Sequence, residues 1–367
     1  MSGDQARFTA LVFAAAFAAC AALVPLSKVL ARRFGVLDQP GDRKVHERAM
    51  PRLGGVALFG SFVPLVLLGY LALPALQGSA LAASFPGALG LLAEAHRVER
   101  QLLAVLVGAT LIFVVGLLDD VLQARFPVSL KASGQVLAAL VLILADVRTS
   151  VLPTDLLNQA LTLLWLVGIT NAFNLLDNMD GLSAGVALVA SGVLLLNAAL
   201  LGEFFIALLL AGFMGSLLGF LLFNFPPAST FLGDCGSLLI GFCMASFTLL
   251  ERYVSQASSS LFPVLMPVLV LAVPIIDTAT VVAIRLREHR PIYVGDTRHI
   301  SHRLVSLGFS PRAAVLFIWL ATLCLGLGAA LLPHATPAQS AMILAQALGF
   351  VALFLVLLFF DRRREPR

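Results

Sequence analysis

Long apolar segments follow one another through most of this chain, and they limit the folds that it can adopt. A run of about 20 apolar residues matches the thickness of the hydrocarbon layer of a membrane. Helices are expected there, because an open sheet would leave backbone groups without partners in lipid. Only 12% of the 367 residues are charged, about half the share found in soluble domains. We therefore predict an all-α, polytopic integral membrane protein.

Eleven transmembrane helices are predicted. We treat residues 1–367 as a single transmembrane domain, with the functional motifs in 35–310 and two further helices in 312–360. The first segment is long enough to span, so we expect it to be retained rather than cleaved as a signal peptide. The predicted spans are 7–30, 53–76, 100–118, 129–147, 155–172, 182–201, 204–223, 236–252, 261–284, 312–332 and 339–360.

The positive charges predict the orientation of these spans. With an odd number of spans, 19 of the 24 lysines and arginines fall on one face of the membrane. The positive-inside rule makes that face cytoplasmic. The N-terminus is then outside and the C-terminus inside. All the polar motifs described below lie on the cytoplasmic face, so we expect the chemistry there.

Four polar residues recur at every third position of the stretch 171–185, between two apolar segments. They are Asn171, Asn174, Asp177 and Asp180. On a helix or a tight turn this spacing gathers them into one polar, acidic face. An ordinary helix cap and turn is the alternative interpretation. The apolar flanks favour the wall of a site.

Three carboxylates at helix ends are candidate metal ligands. Asp119 and Asp120 adjoin at the end of the third span, where the helix dipole disfavours anions. A divalent cation would offset that cost, and Mg²⁺ prefers oxygen ligands. Asp234 lies in a glycine-rich loop before Ser237 opens a helix, although a simple capping aspartate is the alternative. Lys131 is a candidate counter-ion or phosphate contact, or else a lysine extended toward the membrane surface.

The first cytoplasmic loop, 38–55, is basic and ends in Pro-Arg-Leu-Gly-Gly. Its cations and donors include Lys44, His46 and Arg52. Anchoring to anionic lipid explains part of the charge. An arginine followed by a glycine pair also suits a turn that presents a cation and backbone amides to phosphate. We expect this loop to contact phosphate.

The longest cytoplasmic loop, 285–311, carries two histidines three residues apart. His299 and His302 stand beside Arg303. A transition-metal pair is the weaker interpretation, because no third ligand of matching type is near in sequence. Positioned donors for a diphosphate or a sugar fit better. Asp277, inside the preceding span, is an intramembrane carboxylate that needs a partner.

Taken together, these motifs resemble the polyprenyl-phosphate N-acetylhexosamine-1-phosphate transferases, the MraY/WecA-type superfamily. The resemblance covers about residues 35–310 and rests on NAFNLLDNMDGLSAG, GLLDD, FLGDCGS, the PRLGG loop and the H-x-x-H pair. The last two resemble the WecA-like branch, the undecaprenyl-phosphate GlcNAc-1-phosphate transferases. Three residues depart from the family pattern, namely Asn178, Thr297 and Ser301.

The resemblance implies the roles of the site residues. The catalytic candidates are Asp119, Asp120, Asp177 and Asp180, and the metal candidates are Asp234, Asp119 and Asp120. Asn224 and Phe231 match nucleotide-contacting positions. The full set of substrate-binding candidates is Lys44, His46, Arg52, Lys131, Asn171, Asn174, Asn224, Phe231, Ser237, His299, His302 and Arg303.

The implied reaction transfers a sugar 1-phosphate, expected to be GlcNAc-1-phosphate, from a UDP-sugar to undecaprenyl phosphate. It releases UMP, uses Mg²⁺ (with Mn²⁺ as a substitute) and starts cell-envelope polysaccharide synthesis. The expected partners are a UDP-N-acetylhexosamine, polyprenyl phosphate and the lipid of the inner (plasma) membrane, without nucleic acid. A homodimer is one assembly left open.

Two other functions stay open from the sequence. One is a phospho-MurNAc-pentapeptide transferase, and the other is a polytopic transporter with intramembrane carboxylates. For the transfer itself, direct attack by the lipid phosphate is expected, with a covalent phospho-aspartate route as the rival.

Overall fold

A computed structural model of the chain describes residues 1–39, 49–76, 79–92, 95–254, 261–290 and 298–360. The regular secondary structure of these residues is helical, apart from one pair of two-residue antiparallel strands, β1 (Leu37–Asp38) and β2 (Met50–Pro51). The all-α prediction is therefore confirmed. The helices are α1 Gly3–Arg33, α2 Gly54–Leu76, α3 Ala80–Ser84, α4 Pro86–Leu92, α5 Glu99–Leu122, α6 Val128–Leu144, α7 Asp155–Leu176, α8 Leu182–Leu201, α9 Phe204–Asn224, α10 Asp234–Leu250, α11 Met266–Val270, α12 Ala272–Arg287, α13 Ile300–Ser306, α14 Pro311–Leu331 and α15 Pro337–Phe360.

The apolar helices make this a multi-pass membrane protein. Among the described residues, seven helices are long and apolar enough to cross a membrane, and a bent pair adds an eighth candidate. Three shorter apolar helices, α6, α10 and α15, coincide with further predicted spans. Each predicted segment thus coincides with a helix or with the bent pair. The count of eleven and the orientation stay predictions.

The ninth predicted span differs from the others, because it is broken. The segment 261–284 contains two helical pieces, Phe262–Val270 and Ala272–Arg287, inclined by 68°. Pro274 explains the break: proline has no N–H to offer the carbonyl of Val270, four residues earlier, and its ring clashes with that carbonyl. The second helix therefore starts anew, with the amide of Ile275 bonded to the carbonyl of Leu271 at 3.2 Å.

Helix α10 lies at the centre of the protein and is buried along most of its length. It packs against α2, α5, α7 and α8. Small residues permit the close approach: a β-carbon added to Gly116 of α5 would lie 2.5 Å from the carbonyl oxygen of Asp234. Close backbone contact of this kind is typical of helices packed inside membranes. Consequently the first residue of α10 sits where α2, α5 and α7 meet.

A run of backbone hydrogen bonds joins the start of α2 to the loop before α10. The amide of Phe231 donates to the carbonyl of Pro51 at 2.8 Å, and the amide of Gly54 donates to the carbonyl of Phe231 at 2.9 Å. The Thr230 hydroxyl also donates to Pro51, at 3.1 Å. These bonds hold Arg52, which lies between the bonded residues, beside the N-terminus of α10.

Candidate active site

Asp234, the first residue of α10, is the centre of a polar cluster at one end of the bundle. Its Oδ1 accepts from Arg52 Nη2 at 3.1 Å and from Asn174 Nδ2 at 3.2 Å. Its Oδ2 accepts from Lys131 Nζ at 2.6 Å. Residues from the loop before α2, from α6 and from α7 therefore meet on one carboxylate. This long-range convergence brings together four of the candidate residues.

Lys131 joins two of the candidate metal ligands. Its ammonium lies 2.7 Å from Asp119 Oδ2 and 2.6 Å from Asp234 Oδ2. The three side chains are between 17% and 19% exposed, so solvent still reaches them. Lys131 is thus a counter-ion within the site rather than a lysine extended toward the membrane surface. Its charge stabilises the ionised form of both carboxylates.

Asp120 is placed differently from its neighbour, because adjacent helical side chains diverge by about 100°. It is fully buried and accepts backbone amides of Asp234 and Cys235, each at 2.9 Å. Its Oδ1 also lies 3.1 Å from Arg52 Nε. Asp120 therefore caps the N-terminus of α10, where the helix dipole favours an anion. Because its carboxylate is fully buried and caps α10, this placement favours a supporting role over the expected role as a metal ligand.

Gly233, the N-cap of α10, makes that arrangement sterically feasible. Its φ is +75°, a left-handed backbone that residues with a side chain rarely adopt. A β-carbon here would lie 2.5 Å from the carbonyl oxygen of Arg52 and 2.6 Å from Asp120 Oδ2. The glycine beside Asp234 is therefore required by the close approach of the chain that carries Arg52.

The polar stretch that begins at Asn171 is divided between a helix and a turn. Asn171 and Asn174 lie in the last turns of α7. Asn171 exchanges two hydrogen bonds with Gln135 of α6, at 2.6 and 3.3 Å, and Asn174 donates to Ser237 Oγ at 2.8 Å. Helix α7 ends at Leu176, so Asp177 and Asp180 lie in the following turn. The four residues therefore do not form the single helical face that the spacing predicted.

Asp177 follows the end of α7 and is half-buried. Burial raises its pKa to about 8, and the negative charge of Asp234 acts in the same direction, while the guanidinium of Arg52 opposes it. A carboxylic acid with this pKa is mostly protonated at neutral pH. Asp177 therefore stands at the edge of the cluster as a carboxyl group whose ionisation its surroundings disfavour.

The rest of the turn is fixed by contacts within the protein. Asp180 Oδ2 accepts the amide of Ala228 at 2.9 Å. Asn224 accepts the amide of Gly181 at 3.0 Å and donates to the carbonyl of Thr230 at 3.0 Å. Since Asn224 is buried and both its amide atoms are occupied, its place favours shaping the turn over the expected contact with a nucleotide.

The histidine segment is anchored to α12. His299 Nδ1 lies 2.7 Å from Asp277 Oδ2, and the amide of Ile300 donates to Asp277 Oδ1 at 2.8 Å. Asp277 and His299 are both almost fully buried. His302 and Arg303 follow on α13 and are half-buried, with Arg303 Nε donating to the carbonyl of Arg298 at 3.0 Å. Asp277 thus has the partner that an intramembrane carboxylate needs.

Three residues of the sequence-based prediction lie outside the described residues. They are Lys44 and His46 of the first basic loop and Thr297 of the histidine loop. Phe231 is described, and the bonds reported above are made by its backbone.

The carboxylates of the cluster fit a divalent cation that is bound partly by the protein and partly by a substrate. Within the described parts of the chain, no three His, Cys, Asp or Glu side chains are grouped to hold a metal. Asp119 and Asp234 supply two accessible carboxylates. Mg²⁺ is usually held by one or two carboxylates, together with water and substrate phosphates. Two carboxylates that supply only some of the oxygen ligands are consistent with that preference.

Three side-chain pairs were not predicted from the sequence. Arg52 bonds with both Asp120 and Asp234, although 182 residues separate it from the second. Ser301 donates its hydroxyl to Asn178 Oδ1, which joins two of the departures from the family pattern. The sequence shows a polar residue in or beside a motif in each case, but it does not show which residue that side chain will contact.

Comparisons with known proteins place this site in a family context. The model of glycosyl transferase family 4 matches residues 102–251, which include Asp119, Lys131, Asn174 and Asp234. The Bacillus subtilis (strain 168) protein named probable undecaprenyl-phosphate N-acetylglucosaminyl 1-phosphate transferase is 34% identical over 323 residues. The match covers 86% of this chain and 82% of that protein.

Two further relatives carry related names. The decaprenyl-phosphate N-acetylglucosaminephosphotransferase of Mycolicibacterium smegmatis is 35% identical, over 92% of this chain and 84% of its own length. The undecaprenyl-phosphate alpha-N-acetylglucosaminyl 1-phosphate transferase of Yersinia pestis is 25% identical, over 82% of this chain and 78% of its own length. The similarity therefore extends through most of the chain.

Proposed function

Because the chain belongs to the family of polyprenyl-phosphate N-acetylglucosamine 1-phosphate transferases, we propose that it moves N-acetylglucosamine 1-phosphate from UDP-N-acetylglucosamine to a polyprenyl phosphate, with release of UMP. The observation that carries this proposal is the pair Asp119 and Asp234, joined by Lys131 and flanked by Arg52. Both substrates are phosphate anions, so their reaction needs cations that bind phosphate and carboxylates that hold a metal ion.

Mg²⁺ is the cofactor that we propose, with Mn²⁺ as a substitute. Asp119 and Asp234 would hold it, because their carboxylates are partly exposed to solvent, whereas Asp120 is fully buried. When bound, the ion offsets negative charge on the donor diphosphate during the transfer. Asp120 supports the site indirectly, by fixing the start of α10 and the guanidinium of Arg52.

The protein's own groups bind and orient the two phosphates. Lys131 and Arg52 can each exchange a carboxylate contact for a charge-assisted hydrogen bond to phosphate. Asn174, bonded to both Asp234 and Ser237, fixes the orientation of the Asp234 carboxylate. The site therefore aligns two anions that would otherwise repel one another.

Direct attack by the acceptor is the proposed chemical step. The second pKa of a phosphate monoester is near about 6, so the acceptor is largely ionised at neutral pH without a strong base. Its oxygen bonds to the β-phosphorus of the donor. The bond from that phosphorus to the UMP oxygen breaks, and UMP leaves with the bonding electrons.

A covalent phospho-aspartate is the rival intermediate. We favour direct attack because Asp119 and Asp234 are both paired with Lys131, which reduces the nucleophilicity of each carboxylate. The distinguishing measurement is exchange of labelled UMP into the UDP-sugar in the absence of lipid acceptor. Direct attack predicts no exchange, whereas a phospho-aspartate enzyme would catalyse it.

The reaction is proposed to take place at the cytoplasmic face of the inner membrane. The unequal distribution of lysine and arginine supports this orientation. We test it with a cysteine introduced at Ser310, at the exposed start of α14. In intact cells a membrane-impermeant thiol reagent should leave this cysteine unmodified, and labelling without permeabilisation would reverse the orientation.

The central experiment on the function measures UMP release by the full-length protein in lipid nanodiscs with Mg²⁺. We expect UMP only when UDP-N-acetylglucosamine and polyprenyl phosphate are both present. A donor panel with UDP-N-acetylgalactosamine and UDP-MurNAc-pentapeptide tests the sugar. Turnover with the pentapeptide donor alone would favour the peptidoglycan enzyme, and no turnover with any donor would favour the transporter.

A matched pair of variants tests the site itself. Asp234→Asn should nearly abolish transfer while the protein stays folded. Asp155→Asn is the control, because Asp155 lies at the opposite end of α7, is 79% exposed and has Arg148 Nη1 at 3.4 Å; it should retain full activity. Near-normal turnover by Asp234→Asn in Mg²⁺ would contradict the metal assignment.

A further inference from the structure

Helix α13 carries His302 and Arg303 but is only seven residues long. Helices shorter than about 12 residues are marginal in isolation, so tertiary contacts must place this one. Ile300 and Leu304 bury their side chains in the main core. Apolar packing of two residues fixes the depth of a short helix better than it fixes its rotation or its position along the axis.

Asp277 supplies the first polar anchor of α13. Its two oxygens engage the ring of His299 at 2.7 Å and the amide of Ile300 at 2.8 Å. A buried anion at the first amides of a helix satisfies donors that have no partner within the helix. This anchor ties the start of α13 to α12, and it leaves the side toward α7 to be fixed separately.

Asn178 and Ser301 form the second anchor, between α7 and α13. Asn178 Nδ2 donates to the carbonyl of Leu175 at 2.9 Å, one of the terminal carbonyls of α7 that lack a partner within the helix. Its Oδ1 accepts the hydroxyl of Ser301, which is 1% exposed. A single side chain therefore links the end of the helix that bears Asn174 to the helix that bears His302 and Arg303.

We propose that Asn178 and Ser301 are a positioning pair that holds His302 and Arg303 against the acidic stretch, and that the pair governs affinity for the donor. The inference rests on the proposed function and deepens it. Asn178 sits between Asp177 and Asp180, so its bond to Ser301 transmits the position of that turn to α13. Neither residue of the pair needs to touch a substrate to have this effect.

The donor rather than the acceptor should respond to this pair. Every buried methylene adds to membrane binding, so a polyprenyl chain concentrates the acceptor in the bilayer without help from α13. The donor is soluble and polar, and its affinity depends on aligned hydrogen bonds and charges. A displaced α13 therefore raises the KM for the donor and leaves the KM for the acceptor unchanged.

The test is a double-mutant cycle with Asn178→Ala, Ser301→Ala and the double variant. Loss of one neutral hydrogen bond of about 1 kcal/mol corresponds to about a fivefold change, so each single variant should raise the donor KM by about fivefold with kcat nearly unchanged. Asn178→Ala also removes the bond to the carbonyl of Leu175, so the double variant should be no worse than Asn178→Ala alone, because Ser301→Ala removes only the bond that the two residues share. Ser306→Ala, at the opposite end of α13, is the matched control and should behave as the wild type.

The possible outcomes separate this inference from its premise. Ser301→Ala removes one oxygen and keeps the Asp277 anchor, so the variant should fold with a Tm within a few degrees of that of the wild type. Additive effects of the two single variants, an unchanged donor KM, or a lower Tm with normal KM values would overturn the positioning role while the wild type still turns over. A wild type that does not turn over UDP-N-acetylglucosamine would instead overturn the proposed function.

Discussion

Substitution of Asp120 by asparagine tests the division of labour between the two adjacent aspartates. The carboxylate receives three donors: two backbone amides at 2.9 Å and Arg52 Nε at 3.1 Å. Asparagine offers one oxygen and one NH₂ group, so at least one of these donors would face another donor. Loss of one partner of a buried ion pair costs about 3 to 5 kcal/mol. We expect the free energy of unfolding to fall by roughly that amount.

Asp119→Asn provides the comparison at the neighbouring position. The Asp119 carboxylate is 18% exposed, and its partner Lys131 keeps a second contact at 2.6 Å from Asp234, so loss of Asp119 should lower the free energy of unfolding by much less than loss of Asp120. Its loss should, however, weaken binding of a divalent cation on the order of a hundredfold, because a contact charge pair contributes several kcal/mol at an effective dielectric constant near 20.

Two assays on the same preparations separate the roles. Thermal unfolding should show a lowered Tm for Asp120→Asn and a Tm near that of the wild type for Asp119→Asn. Titration with Mn²⁺, followed by electron paramagnetic resonance below the unfolding temperature, should show the reverse order of damage. If Asp120→Asn is as stable as the wild type but loses Mn²⁺ binding, Asp120 is a metal ligand and the reasoning fails.

Three further predictions concern residues around the same carboxylates. Lys131→Met should lower kcat/KM by about a hundredfold or more at saturating Mg²⁺, as expected for loss of a charged phosphate contact, and activity within tenfold of the wild type would exclude Lys131 from phosphate binding. Gly233→Ala should unfold or inactivate the protein, because its β-carbon would lie 2.5 Å from the Arg52 carbonyl oxygen, whereas Gly202→Ala, at φ +73° with open space around it, should cost only about 1 to 2 kcal/mol in thermal unfolding; equal effects would show that the close approach at Gly233 is absent. Asp177 has a pKa of about 8 in the folded state against an ordinary value of 3.8. Between about pH 4 and pH 8 the folded state therefore holds a proton that the unfolded state has lost, so the free energy of unfolding should decline as the pH rises through that range. Thermal unfolding without metal across that range should therefore show a steeper decline for the wild type than for Asp177→Asn, and parallel curves would contradict the raised pKa.

The helices were predictable from the sequence because a membrane demands long apolar runs with satisfied backbones. Helix α8, for example, occupies 182–201 as predicted, between two glycines with left-handed backbones. The break in the ninth segment was not predicted, since apolar length alone does not reveal it. Pro274 was the available signal, because a proline removes the bond to the carbonyl four residues earlier.

The site was predictable as a set of residue types and only partly as an arrangement. The separate motifs containing Asp119, Lys131, Asn174 and Asp234 do converge. Sequence alone could not assign different places to Asp119 and Asp120, because that difference depends on which side of α5 faces the start of α10. Long-range pairing of side chains is decided by packing, which local periodicity does not encode.

The most direct test of the account follows the phosphorus atom. UDP-N-acetylglucosamine carrying one isotope in the sugar and another in the β-phosphate is supplied with polyprenyl phosphate, Mg²⁺ and the full-length protein, and the lipid product is extracted. Transfer of a sugar 1-phosphate predicts that both labels enter the lipid in equal amounts, with one UMP released for each. Sugar label in the lipid without the β-phosphate label, and UDP in place of UMP, would show ordinary glycosyl transfer and contradict the account.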